Sequence, residues 1–437
     1  MRHSPPQTKA SPADIKPASR LFTSPYWIAI GGAASIAIGL GMTRFAYTAI
    51  LPSMKIQLGL SPLQAGYLAT ANLSSYVLGS LLPIWFAWQK RAVSPGTLLW
   101  FGWIMALVFT LTMALPNQFG LGMLLSRALA GVSGALLMNA ASAMVIRAAH
   151  ESGKHQLIGI HYGGVGCGIV LSSLCVIVLE SQQANWASYW LVHGALIALL
   201  ILPSLLVLLA SRLNQGHQQH ANNVHSSSAH HLGNQTTRVP RTAWYALIWL
   251  LAAYFFAGLG YIVSATFLPL IAKSTPALAN DATASWLVFG LAAIVSNVLW
   301  MKLSYCWGLL RTLGIAYAVQ AAGVMLPVFS SSVIALYGSG LLLGGTFMGI
   351  VALGNTLACQ LLPPARAHLA AYSVAAMSAI HGLGQTIGPY IAGMLATRQG
   401  NFSAGLWIAA LGLLAGIALL RGCDHARKQF FPENILS

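Results

Sequence analysis

Twelve stretches of this chain run for about 20 residues or more with almost no charge, the length a helix needs, at about 1.5 Å per residue, to cross the hydrocarbon core of a bilayer. Lipid offers no partner to a backbone N–H or C=O, so each stretch must satisfy its own groups as a helix. Counted between prolines, glycines and charged residues, the runs fall at 26–52, 62–88, 95–115, 118–148, 156–180, 188–211, 242–272, 283–304, 309–329, 332–361, 369–396 and 400–421. With 57% hydrophobic and 6% charged residues, the composition excludes a soluble globule. The expected fold is an all-α integral membrane protein of twelve transmembrane helices in two six-helix pseudo-symmetric bundles, 26–211 and 242–421. A disordered N-tail (1–25), a linker rich in His, Asn and Ser (212–241) and a C-tail (422–437) complete it.

A net charge of +16 raises the question of nucleic acid, but Lys and Arg sit between apolar runs instead of clustering on one soluble face, so no nucleic-acid partner is expected. Seventeen of the 22 Lys and Arg fall in the tails and the loops on the same side, against three on the opposite side, Lys55, Lys273 and Arg398. Positive loops stay in the cytoplasm, so both termini are expected there, in a bacterial inner membrane. The five cysteines are scattered without paired or metal-ligand spacing and read as small buried thiols. His217, His220, His225, His230 and His231 in the linker match no closed metal geometry, so neither metal nor cofactor is expected.

Two arginines, Arg44 and Arg127, remain inside the apolar runs. Arg44 lies eighteen positions in from Tyr26, and a guanidinium at such depth costs about 3 kcal/mol on insertion scales unless it faces protein or a watery cavity. Tyr47 and Thr48 follow at i+3 and i+4, on the same helical face. All six acids, Asp14, Glu151, Glu180, Asp281, Asp424 and Glu433, lie in tails, loops or helix ends. With no carboxylate at depth, Arg44 and Arg127 should give a cavity of positive potential, suited to a small organic anion held by a guanidinium fork. Asn72, Asn139, Tyr254, Tyr261, Asn297, Asn355 and Gln385 complete the expected polar lining, since an amide facing lipid is costly. If protons drive the carrier, histidine must titrate; His381, near mid-depth and one turn before Gln385, is the coupling candidate, while His161 and His193 lie nearer the interfaces and read as structural.

The halves repeat each other weakly. Thr48-Ala-Ile-Leu-Pro52 aligns with Ala265-Thr-Phe-Leu-Pro269, which sets Arg44 opposite Tyr261. His161-Tyr-Gly-Gly164-Val-Gly-Cys-Gly168 and His381-Gly-Leu-Gly384-Gln-Thr-Ile-Gly388 share His-x-x-Gly-x-x-x-Gly. Parallel repeats of this kind build two bundles about a pseudo-two-fold axis with a solute site where they meet. The glycines of the first motif lack nucleotide-loop spacing and read as close helix packing. No Walker, triad or HExxH motif appears, so an enzyme is not expected.

Twelve spans with inward termini and a long middle loop resemble the major facilitator superfamily. Arg44-Phe-Ala-Tyr-Thr-x-x-Leu-Pro52 with Tyr261-x-Val-Ser-Ala-Thr-Phe-Leu-Pro269 resembles its YbfB/YjiJ-type bacterial subgroup. Arg127-Ala-Leu-Ala-Gly131-Val-Ser-Gly-Ala135 is similar to the helix-4 motif that the family's proton-driven exporters associate with proton transfer, which makes Arg127 a second coupling candidate. Gly384-Gln-Thr-Ile-Gly388-Pro389 looks like the exporter motif displaced to helix 11, and the superfamily's Asp-Arg loop signature is absent after helix 2 and helix 8. Paired six-helix repeats with deep polar groups suit a secondary carrier working by alternating access, expected to be monomeric, with a proton-driven exporter of amphipathic drug-like compounds or a ligand-binding membrane receptor or scaffold as the other readings.

Overall fold

The computed structural model describes residues 24–89, 93–115, 118–154, 156–222, 241–361 and 367–428. The N-tail before Ser24, Lys90 and Arg91, the linker residues 223–240 with His225, His230 and His231, and the C-tail beyond Lys428 lie outside them. Twelve long helices carry the described chain. The first six are α1 (Pro25–Leu58), α2 (Pro62–Trp88), α3 (Pro95–Ala114), α4 (Leu121–Ser152), α5 (Gln156–Ser181) and α6 (Trp186–Asn222). The second six are α7 (Arg241–Lys273), α8 (Ala282–Trp307), α9 (Leu309–Phe329), α10 (Val333–Gln360), α11 (Ala367–Gln399) and α12 (Ser403–Lys428). Helix starts follow local chemistry: Ser24 and Ser94, each followed by proline, and Ser332 accept a backbone N–H from the first turn with their hydroxyls. Gly59 and Gly153 close α1 and α4 in the left-handed conformation, both at φ 64°.

Three boundaries differ from expectation. α1 passes through Pro52 to Leu58, because in a membrane the carbonyl a proline leaves free is re-satisfied by neighbouring groups and the helix continues. α6 extends to Asn222, so 212–222 is helix and not linker. α12 likewise extends to Lys428, into the expected tail. In both, hydropathy marks only where the apolar run stops, whereas a formed helix adds each further residue at little cost until a breaker intervenes. The cysteines also differ: Cys423 is buried, but Cys167 and Cys306 are exposed on helix surfaces, where a small thiol meets lipid without penalty.

The pairing of helices repeats with a shift of six. α1 packs on α6 and α5, α2 on α4, and α3 on α4 and α6; α7 packs on α12 and α11, α8 on α10, and α9 on α10 and α12. Between the halves, α2 meets α11 and α5 meets α8, the two contacts a two-fold axis would exchange. Ten helices among the described residues are apolar enough to span a membrane, and the two that fall short are α2 and α11. Their polar residues need no lipid, since Thr70 Oγ1 donates to Thr386 O at 3.0 Å across the seam the two helices share.

The repeated His-x-x-Gly-x-x-x-Gly motif packs each carrier helix on the first helix of its half. A Cβ on Gly164 would stand 2.2 Å from Ala33 O, and one on Gly384 2.2 Å from Phe255 O. No side chain can yield there, because the obstacle is backbone. Gly164→Val and Gly384→Val should each lower the thermal unfolding midpoint of the detergent-purified protein, by about 1–3 kcal/mol of overpacking or more. A midpoint unchanged in both variants would contradict this packing.

Candidate functional site

α1 is not regular. Ala37–Phe45 is wound as a π-helix, with Ala46 N–H bonded back to Gly41 O, and Arg44 projects from its last turn. Glycines let this wide segment sit tightly against α4 and α5: a Cβ on Gly39 would stand 3.0 Å from Leu137 Cβ, and one on Gly41 2.5 Å from Gly168 Cα. Arg44 is 8% exposed. Its Nη2 donates to Tyr261 Oη at 3.0 Å and to Gln385 Oε1, so one guanidinium joins α1 to α7 and α11. Phe45 and Tyr76 lie 5.0 and 5.4 Å from its carbon, within cation–π range. Nε is buried without a partner, and Nη1 donates to no described protein atom. The repeat alignment had set Arg44 opposite Tyr261 and Thr48 opposite Ala265, and both pairs are in contact, with Thr48 Oγ1 donating to Ala265 O at 2.7 Å. Residues that a two-fold axis exchanges can touch only on that axis, so Arg44 marks it.

Arg44 is the floor of a cavity of about 300 Å³. Of the expected site residues, Arg44, Asn139, Tyr254, Tyr261, Asn355, His381 and Gln385 line it. His381 stacks on Tyr254 at 4.5 Å and on Tyr261 at 5.8 Å, while Tyr261 stacks on Phe347 at 4.9 Å. Its Nδ1 contacts Tyr254 O at 3.2 Å, and Nε2 is buried without a partner. Asn139 Nδ2 donates to Ser80 O at 3.3 Å, and the buried Oδ1 of Asn355 accepts nothing. Tyr76, Tyr162, Met138, Ser142, Ser378 and Phe347 are lining residues the sequence reading missed. One cue was available for Tyr76, which follows Asn72 by one helical turn.

The other expected residues stand elsewhere. Asn297 lines a second void of about 530 Å³ among α4, α5, α8 and α10, which shares Ile146, Tyr162, Met348, Val351 and Asn355 with the first. Tyr47 donates from Oη to Ala65 O at 2.8 Å and Asn72 from Nδ2 to Arg127 O at 2.9 Å, both as ties between helices. His161 and His193 are fully buried and share hydrogen bonds with Ser142 at 2.9 Å and Ser172 at 2.8 Å; Nδ1 of His193 also meets Tyr189 O at 2.6 Å, whereas Nδ1 of His161 is buried without a partner.

The two voids run toward the side where α1 begins and α12 ends. Beyond Arg44 the halves are closed. Thr48, Thr70, Thr283 and Trp286 each bond across to the other half, and Lys273 Nζ lies 3.6 Å from Glu180 Oε1. Such an all-helical membrane chain, with a central polar cavity on a pseudo-two-fold axis accessible from one face only, is built as a transporter and not as an enzyme. The chain belongs to the major facilitator superfamily family described as "Uncharacterised MFS-type transporter YbfB", which it matches over residues 36–421. It superposes on two crystal structures of the nucleoside transporter NupG, one a point mutant, with TM-scores of 0.65 and 0.64 at 11% and 12% identity. The match covers 91% of this chain and 99% or 98% of NupG, and at that identity the likeness is one of fold. No curated protein matches the chain.

Arg127 takes a different place from Arg44. Its Nη1 donates to Thr43 O at 2.7 Å and its Nε to Leu68 O at 3.4 Å, and Tyr47 lies 4.5 Å from its carbon. It borders only a void of about 10 Å³ behind the cavity floor. Arg127→Ala should therefore destabilise the fold, by about 1–3 kcal/mol for each buried acceptor left unpaired, and leave the solute profile unchanged. Thermal unfolding and transport measured on the same preparation check both halves of that statement.

Proposed function

We propose that this transporter carries small organic anions across the bacterial inner membrane as a monomer, by alternating access of the halves 26–211 and 242–421 about the segment 212–241. The charge asymmetry of the loops supports a cytoplasmic tail side, and on that reading the conformation described is inward-facing. The observation that carries the anion reading is Arg44, a permanent cation at the cavity floor whose Nη1 donates to no described protein atom. The described acids are engaged away from it: Glu151 pairs with Arg147 at 2.7 Å, Glu180 with Lys273 at 3.6 Å and Asp424 with Lys428 at 3.0 Å, and Asp281 accepts from Tyr337 Oη. A carboxylate or phosphate entering from the cytoplasm would be the first anion that guanidinium meets. Of the two coupling candidates only His381 lines the cavity, and any proton coupling is assigned to it.

A second reading, export of amphipathic compounds, is favoured by the larger void, whose wall includes Ile158, Val298, Met301 and Tyr305. Uptake into proteoliposomes across a panel of anions, cations and neutral solutes separates the two, with nucleosides in the neutral arm. Anions should be carried and Arg44→Ala should reduce their flux at least tenfold, as expected for loss of more than about 1.4 kcal/mol of binding. Transport confined to cationic or neutral amphipaths would establish the exporter instead.

A further inference from the structure

The cavity offers more than a cation, and its two buried orphaned atoms besides those of Arg44 can both accept a hydrogen bond. Tyr254 O can only accept, so the proton of the His381 ring is on Nδ1, and in the neutral ring Nε2 is a bare acceptor. That Nε2 is buried with no donor. Asn355, lining both voids, has a buried Oδ1 in the same condition. A buried acceptor without a donor is costly, and two on one wall need explaining. Tyr261 ties His381 to the cation: its hydroxyl takes the 3.0 Å bond from Arg44, and its ring stacks on His381 with centroids 5.8 Å apart. A molecule seated on Arg44 therefore shares one cavity with the His381 imidazole.

The wall between is aromatic. Tyr76, Tyr162, Tyr254, Tyr261 and Phe347 line one cavity, and flat solutes stack on such faces. None of the described acids lines it, so an ammonium group would meet no counter-charge. From these features we infer that the solute is a monoanion built on a flat ring that also carries a hydrogen-bond donor, a hydroxyl or N–H, at the end remote from its carboxylate. The carboxylate sits on Arg44 of the N-terminal half and the donor on His381 Nε2 or Asn355 Oδ1 of the C-terminal half. Zwitterions, whose ammonium finds no carboxylate, and dianions, whose second charge finds no second cation, among the described residues lining this cavity, are rejected. This inference rests on the anion reading and adds to it the ring and the donor.

The test is a thermal-shift titration of the full-length purified protein with benzoate, 3-hydroxybenzoate, 4-hydroxybenzoate, 4-hydroxybenzamide, phthalate and tyrosine. At least one hydroxybenzoate should bind about tenfold tighter than benzoate, the gain from one donor satisfying an orphaned acceptor. Phthalate and tyrosine should bind at least tenfold more weakly than that hydroxybenzoate. In His381→Phe, which keeps a ring in the stack, or in Asn355→Leu, the preference for the hydroxyl should shrink to less than threefold while benzoate still binds. Equal binding of benzoate and both hydroxybenzoates by the natural sequence overturns the donor claim and leaves the anion reading intact. Binding of the neutral benzamide as tight as that of the hydroxybenzoates, and unaltered by Arg44→Ala, overturns the anion reading itself. Tyrosine or phthalate binding as well as the hydroxybenzoates removes the monoanion restriction, and no shift with any member rejects the class. The comparison within the natural sequence decides the question even where neither variant folds.

Discussion

One uncompensated positive charge at mid-membrane governs the arrangement around it. A guanidinium cannot rest against lipid at that depth, and no carboxylate is within reach, so the fold meets its donors with neutral acceptors and aromatic faces. Tyr261 and Gln385 supply the acceptors, and Phe45 and Tyr76 the faces. Because the acceptors come from α7 and α11 while the arginine comes from α1, satisfying the charge brings the halves together at their shared axis. The partners employ a single nitrogen, Nη2; Nη1 donates to no described protein atom, and Nε is buried without a partner. A carboxylate in place of Arg44's neutral partners would neutralise the charge permanently; an amide and a phenol hold it in position and leave its field in the cavity.

That much was legible in the residues, because polar groups inside apolar runs announce themselves: Arg44, Tyr261, His381 and Gln385 converge on one cavity as their depth implied. Arg127 shows why depth alone is insufficient. Two arginines in comparable apolar surroundings differ in what lies opposite, and the carbonyls of Thr43 and Leu68 that absorb Arg127 are main-chain groups present at every position of every sequence. Tyr76 and Tyr162 escaped notice for the converse reason: tyrosine is an ordinary membrane-helix residue, and only the packing turns it inward. The π-helical winding of Ala37–Phe45 left no pattern beyond Gly39 and Gly41, and it rotates everything after it relative to a regular helix. The helix ends at Asn222 and Lys428 were missed because hydropathy reports where lipid stops and not where hydrogen bonding does.

Where α2 meets α11, closure beyond Arg44 is achieved with short side chains. A Cβ on Gly66 would stand 2.6 Å from Pro389 O, and one on Gly393 2.6 Å from Pro62 O, so α2 and α11 meet backbone to backbone. Thr70 Oγ1 donates to Thr386 O, and Leu63 N donates to Thr397 Oγ1 at 3.1 Å, along the same line. Glycine and threonine have little rotamer freedom to lose on closing and little to regain on opening, so the seam parts or forms with small entropic consequence. Hydrogen bonds between membrane helices average about 0.6 kcal/mol, and a half-exposed pair such as Glu180 with Lys273 adds under about 1 kcal/mol.

The few inter-half bonds on that side therefore sum to only a few kcal/mol, whereas reversing a two-state population from 1:99 to 99:1 takes about 5.5 kcal/mol of differential binding. A solute that grips Arg44 on one side and α10 or α11 on the other is attached to both halves at once, so its affinity must change as the halves rock. The energy needed to move the seam is thus within what one charged hydrogen-bonded contact supplies, about 1.5–3 kcal/mol, together with the burial of one ring. Placing the cation on the pseudo-two-fold axis makes this coupling possible, because there a bound solute touches both halves in either orientation.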